Sequence, residues 1–117
     1  MSTHTPLKPE VFEILATMSD GELHGYAILK AIEERGTPMA ASLLYRKLRR
    51  LLEDGWVEEV DTPLDDETDA RRRYYRLTAR GRQALEAEAR RIVALADSER
   101  VREIATAGVG AEEAGRA

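Results

Sequence analysis

The sequence predicts a mainly α-helical fold that carries one small β-hairpin and ends in a long helix. Three observations predict it. Apolar residues recur at helical spacing in three successive segments before residue 55. The periodicity then gives way to a short β-prone stretch, an acidic run and an alternating stretch, as two strands around a loop would. Finally Thr78, a residue type that caps helices, opens a run with apolar residues at helical spacing as far as Ile104.

The elements follow in order. Val11, Ile14, Leu15 and Met18, with Leu7 one turn earlier, predict a first helix over 6–18. Pro9 suits its first turn, where the missing N–H costs nothing. Ser19-Asp20-Gly21 is turn chemistry and stops it. A second helix over 24–35 buries Ala27, Ile28, Ala31 and Ile32, and Gly36, Thr37 and Pro38 end it. The third helix, over 40–54, has Leu44, Leu48 and Leu51 as its core stripe, with Leu52 and Tyr45 beside it. Gly55 is placed for a left-handed cap.

A first strand over 56–60 presents Trp56, Val57 and Val60, and an acidic loop with Pro63 fills 61–70. A returning strand over 72–77 contains Tyr74 and Tyr75. Behind Thr78 a single helix over 79–106 carries Leu85, Ala89, Ile92, Val93, Ala96, Val101 and Ile104 on one side. From Gly108 onward the Gly, Ala and Glu content predicts a frayed tail. The expected organisation is therefore a domain over 1–78, a helix over 79–107 and a flexible tail over 108–117.

Composition narrows the function classes. At 117 residues, 43% apolar and 34% charged, the chain suits one modest core with a polar surface. No apolar run approaches the roughly 18 residues of a membrane helix. The short polar start lacks the layout of a secretory signal, so a cytoplasmic protein is the simplest expectation. Without cysteine there is neither a disulfide framework nor a thiolate metal site.

No phosphate loop, nucleophile–base pair or metal-ligand spacing is present, so neither an enzyme nor a cofactor is expected. His24 has only His4 as a fellow histidine, which favours a helix-start or packing role. Asp65, Asp66, Glu67 and Asp69 match no calcium loop. Gly25 is expected to admit a neighbouring backbone, and Tyr26 to pack between helices. Trp56 reads as packing at the hairpin root, with stacking on a small molecule as the alternative.

Two helices joined by a tight turn and followed by a β-hairpin make a winged helix-turn-helix, in which the second helix of the pair enters the DNA major groove. If Leu44, Leu48 and Leu51 face inward, the roughly 100° step per residue turns Ser42, Leu43, Arg46, Lys47 and Arg50 outward, with Arg49 and Tyr45 at the edges. Arginine suits this role, since its planar fork can donate twice to a guanine edge or to phosphate. Ser42 and Tyr45 add hydroxyl donors, and the first turn of the helix offers backbone N–H groups to phosphate.

The net charge of −4 argues against nucleic acid only if spread evenly, and here the cations cluster. Arg71, Arg72 and Arg73 on the returning strand form a second expected DNA contact. Alternation sends Arg71 and Arg73 to one face and Arg72 to the other, so either set can meet DNA. The competing expectation is that these arginines pair with the acidic loop.

Gly21, the string Leu23-His24-Gly25-Tyr26, Leu44-Tyr45 with Leu48, Leu51 and Gly55, and then Arg73-Tyr74-Tyr75-Arg76-Leu77-Thr78 with Gly81 together resemble the PadR-like transcriptional regulators, over about residues 7–85. The short length resembles the branch with a single C-terminal helix. One departure is visible: Ser42-Leu43 stands where that family usually has glycine-threonine, so no threonine hydroxyl is available at Leu43.

The resemblance implies a homodimer built by the C-terminal helix, repression by operator binding, and relief by a small-molecule effector. A helix of about 28 residues would span roughly 40 Å, longer than so small a domain can cover. Leu85, Ala89, Ile92, Val93 and Ala96 are accordingly expected to pack against a second copy. The partner would then be a palindromic operator in double-stranded DNA, with half-sites about one turn apart. The alternatives are a winged-helix module that binds protein instead of DNA, and a regulator of another winged-helix class such as the MarR-like proteins.

Overall fold

The structure is a computed structural model that describes residues 6–60 and 73–116, with side chains through residue 108. The sequence readings for 61–72, including Arg71, Arg72 and the acidic loop, lie outside the described residues.

Three helices come first: α1 (Pro9–Thr17), α2 (Gly25–Glu34) and α3 (Ala41–Glu53). Each turns its aliphatic stripe inward. Ile14, Leu15 and Met18 meet Ile28 and Ile32 of α2 and Leu44, Leu48 and Leu51 of α3 in one buried cluster, which Met39, Val57, Tyr75 and Leu85 complete. Truncating any of these leucines or isoleucines to alanine would cost about 2–5 kcal/mol. Arg35, just past α2, ties the first two helices together. Its guanidinium pairs with Glu13 at 3.0 Å and donates to the Thr17 hydroxyl.

Three strands follow the pattern of a wing with one addition. β1 (Leu23–His24), β2 (Val57–Val60) and β3 (Tyr74–Leu77) form an antiparallel sheet in the order β1-β3-β2. Val57 faces Leu77 and Glu59 faces Tyr75, while on the other edge Leu23 faces Tyr75. The sequence reading had only the hairpin. A strand of two residues is too short to display alternation, and β1 exists because the outer edge of β3 supplies its hydrogen bonds.

The junction between the third helix and the wing is tightly specified. Gly55 takes φ +76°, so that its own N–H reaches the Leu52 carbonyl and the Trp56 N–H reaches Leu51, a glycine-dependent stop that turns the chain sharply into β2. Thr78 then closes the far side. Its N–H donates to the Trp56 carbonyl at 3.1 Å, and its hydroxyl donates to the Gly55 carbonyl at 2.7 Å. The same hydroxyl caps α4 (Ala79–Ala96) by accepting from Gly81 N–H at 3.0 Å. Trp56 packs against the core at this root, as expected.

The C-terminal region differs from the single helix expected over 79–106. α4 closes at Ala96, and α5 (Glu99–Arg116) opens after two intervening residues and continues through the segment expected to fray from Gly108. The break has a local cause. The Ser98 hydroxyl accepts from Val101 N–H at 3.2 Å and so starts a new helix, and Arg102 pairs with Asp97 at 3.1 Å across the corner. Alanine and glutamate carry the α5 backbone onward despite its glycines.

Leu85, expected at a dimer contact, is instead a core residue of its own domain. Beside it lies Glu88, 1% exposed. This carboxylate takes two hydrogen bonds from Arg91, at 2.7 and 2.9 Å, and one from Leu7 N–H at 3.2 Å. It thereby holds the segment before α1 against α4.

At Gly81 a Cβ would lie 1.9 Å from the Trp56 carbonyl oxygen, whereas at Gly108 it would meet nothing within 4 Å. Gly81→Ala is therefore expected to destabilise the protein by at least about 2 kcal/mol. Gly108→Ala, on a helix, is expected to be neutral or stabilising by up to about 1 kcal/mol. Thermal denaturation of the two variants checks this, and similar melting temperatures would contradict the close approach.

Candidate nucleic-acid interface

α3 sits between the turn after α2 and the wing, and its two sides differ sharply. Leu44, Leu48 and Leu51 are at most 3% exposed. Ser42, Tyr45, Arg46, Arg49 and Arg50 are all exposed, and Lys47 is half-buried. Leu43, expected on the outer face, instead packs partly against the core. Over its length α3 carries four cations against one carboxylate, Glu53. Arg50 makes an ion pair with Asp54 at 3.4 Å, while Arg46 has no ion-pair partner among the described residues. The helix starts at Ala40 without a side-chain cap, so its first-turn N–H groups point outward with no side chain satisfying them.

The described wing arginines are engaged in ion pairs. Arg73 pairs with Glu59 of β2 at 3.2 Å. Arg76 pairs with Glu58, its partner directly across the strands, at 2.6 Å, and lies 3.7 Å from Glu22. The Glu58 contact holds the Arg76 guanidinium pKa above its ordinary value. Two of the carboxylates engaged here, Glu58 and Glu59, belong to β2, and Glu22 precedes β1. Arg73 and Tyr75 share a face, as alternation requires, and that face looks toward α3.

Between α3, the start of α2 and the wing lies a groove of about 530 Å³, lined by His24, Tyr26, Tyr45, Arg49, Glu59 and Arg73, with Gly25, Leu48, Leu52 and Tyr75 beneath. Tyr45 reaches into it because Gly25 has no side chain: a Cβ there would sit 2.7 Å from the ring. The sequence reading expected backbone at that point, and the structure puts the Tyr45 ring there. Tyr26, expected between helices, is 56% exposed at the rim, with the Lys30 ammonium 5.8 Å from its ring centre.

His24 fulfils its expected helix-start role. Its Nδ1 accepts from Ala27 N–H at 3.1 Å, and its ring meets the Tyr74 ring edge-on at 5.5 Å. Among the described residues no cluster of His, Cys, Asp or Glu could hold a metal. Among the described residues no helix is long and apolar enough to cross a membrane.

A basic helix with a buried leucine ridge, set between a tight turn and a three-stranded wing, is the arrangement of a DNA-reading winged helix. The model of the "Transcriptional regulator PadR-like family" matches residues 14–87, which is more than half of the chain. The chain belongs to the PadR-like family of transcriptional regulators. It is thus one of a family of DNA-binding regulators, not of enzymes.

Solved relatives agree. The chain is 26% identical to Bacillus subtilis PadR, solved in complex with operator DNA, over 68% of this chain and 46% of that one, with a TM-score of 0.60. It therefore spans less than half the length of that protein. A PadR-family regulator from Eggerthella lenta is 28% identical over 75% of each chain, with a TM-score of 0.61. RosR from H. salinarum, 24% identical, shares the fold over 98% of this chain and all of its own, with a TM-score of 0.63. No curated protein matches the sequence.

Glu59 and Tyr26 were missed by the sequence reading. Glu59 is legible only once the strand register is known, because the loop leaves that register open. Tyr26 looked like packing because it neighbours apolar positions on α2.

Burial raises the Tyr75 phenol above its ordinary pKa of 10.0, with Glu59 adding to the shift and Arg73 opposing it. A raised pKa means the folded protein holds this proton more tightly. Its contribution to stability is full below pH 10 and is lost as pH rises further. Ultraviolet titration of the four tyrosines is expected to show Tyr75 ionising late. Tyr75→Phe should remove the most alkaline step, and an unchanged titration curve would contradict this.

Proposed function

We propose that the chain is a repressor that binds a palindromic operator as a homodimer, with α3 of each copy in the major groove and wing residues along the phosphates. The observation that carries this reading is the division of α3 into a buried leucine ridge and an exposed face bearing Ser42, Tyr45, Arg46, Arg49 and Arg50. Bacillus subtilis PadR, a relative of the same family, is known bound to operator DNA. α3 has 13 residues, about 20 Å of helix, and suits a groove about 12 Å wide. Arg46 is the side chain assigned to base edges, since no carboxylate competes for it among the described residues. Lys47, Arg49, Arg50 and Arg73, with Arg71 and Arg72 from the sequence reading, are assigned to phosphate.

Dimerisation is proposed through α4 and α5. Ala89, Ile92, Val93 and Ala96 recur at three- and four-residue spacing along one stripe, and Ile92, Val93, Leu95 and Ile104 are exposed large apolar residues. A second copy laid on this stripe would remove them from water and set two α3 helices at a fixed separation, about 34 Å for consecutive turns of DNA. Relief by a small molecule that prefers one subunit spacing completes the proposal, and a cytoplasmic location fits it.

Binding to DNA upstream of its own gene is expected to weaken about a thousandfold between 50 and 200 mM salt, because released counterions drive it. Fluorescence anisotropy measures this directly. No binding even at low salt would favour the protein-interaction reading. Arg46→Ala is expected to cost about 1–3 kcal/mol of specific binding. Arg82→Ala, whose guanidinium is engaged with the Ser19 carbonyl, should cost far less. Equal losses would overturn the assignment of the α3 face. In sedimentation the protein should run as a dimer and Val93→Glu as a monomer; a wild-type monomer would refute the operator geometry.

A further inference from the structure

The groove between α2, α3 and the wing has a chemistry that base reading by α3 does not use. Its walls hold two guanidinium groups, Arg49 and Arg73, and the exposed phenols of Tyr26 and Tyr45. Lys30 stands over Tyr26 at its edge. Among the described residues the one carboxylate lining the groove is Glu59, and it is bound to Arg73 at 3.2 Å. The groove is continuous with the basic face of α3, because Tyr45 and Arg49 belong to both. Three cations, two phenolic donors and a concave shape complement a chain of phosphates.

We infer that this groove seats the sugar-phosphate backbone of one DNA strand, and that Glu59 is an internal stand-in for phosphate that Arg73 must release before the seat is filled. Lys30, and Tyr26 where the sequence suggested only packing, then become DNA-backbone contacts. This rests on the proposed DNA-binding function and deepens it by naming the residue that opposes DNA.

The exchange is physically reasonable. The Arg73–Glu59 pair is solvent-accessible, with both side chains more than two-fifths exposed, so its own attraction is weak and breaks at little cost. A phosphate offers Arg73 the same bidentate geometry as a carboxylate. Glu59 opposes DNA mainly by occupying the Arg73 guanidinium that a phosphate would otherwise bind. Its effect is thus independent of base sequence and acts on affinity as a whole.

The test is a salt titration of binding to two duplexes, one containing the operator and one of unrelated sequence. Glu59→Gln keeps the size of the side chain and removes its charge. It is expected to bind both duplexes about two- to fivefold more tightly at low salt, and to steepen the slope of log affinity against log salt by about 0.9, the equivalent of one more phosphate. Lys30→Ala is expected to weaken both duplexes equally and to flatten that slope by about the same amount.

Combined with Arg73→Ala, the Glu59→Gln gain should fall by more than half, which a merely structural role for Glu59 would not produce. Glu59→Thr, which suits a strand, gives a second route to the same result should the glutamine variant fold poorly. Unchanged or weaker binding by folded Glu59 variants, or a gain undiminished without Arg73, would overturn the inference while leaving operator binding intact. Wild-type protein that binds neither duplex at low salt would instead refute the DNA-binding function itself.

Discussion

Everything about the reading face depends on the rotation of α3 about its own axis, and three leucines set that rotation. Leu44, Leu48 and Leu51 lie one above the other along a single side of the helix and are buried against α1, α2 and the first wing strand. Turning α3 by even one residue step, about 100°, would bring a charged or polar side chain into that cluster. Removing one leucine from water while burying an arginine has no compensating contact in the core. The hydrophobic core therefore does more than hold the domain together. It decides which side chains α3 offers outward, and it does so with residues that touch no partner.

The second constraint is the angle between α3 and the wing. Gly55 ends the helix in a left-handed turn, and two residues later the chain is already in β2. From the other side, Thr78 binds the Gly55 and Trp56 carbonyls and caps α4 in the same step. Gly81 lets α4 lie directly on the Trp56 carbonyl. Helix, wing and C-terminal helix thus meet at one point a few residues wide. A change in the direction of α4 is transmitted to the wing through backbone contacts, with no flexible segment between them. This junction is one route for coupling between a second copy and DNA, the packing of α4 on α1 being another.

Much of this was legible in the sequence because it rests on local rules. The leucine spacing, the glycine after α3, the capping threonine and the alternation in 73–77 each follow from backbone geometry within a few residues. The features that escaped depend on pairings across the fold. β1 exists only through β3. Glu59 meets Arg73 only in one register of the hairpin. Glu88 is buried where the Leu7 N–H, from the segment before α1, and Arg91 reach it. The helix break was a different failure, since Ser98 followed by Glu99 is a readable start signal that was overridden by the continuing apolar pattern. Tyr26 was misassigned because helical spacing states which residues share a face and is silent about whether a neighbour arrives to cover it.

The net charge of −4 was the strongest sequence-level objection to a DNA partner, and its resolution is a matter of range. At physiological ionic strength charges are screened over roughly 8 Å. A phosphate at the α3 surface therefore responds to the four cations of that helix far more than to carboxylates on the remote side of the molecule. Asp54, Glu58 and Glu59 are the exceptions, because they stand within or beside the basic region and pair with its arginines. These few carboxylates, and not the total, set how strongly the face attracts DNA. Each one engaged with an arginine leaves a competition that phosphate has to win locally. An acidic protein can in this way present a basic surface whose affinity is graded by individual ion pairs on that surface.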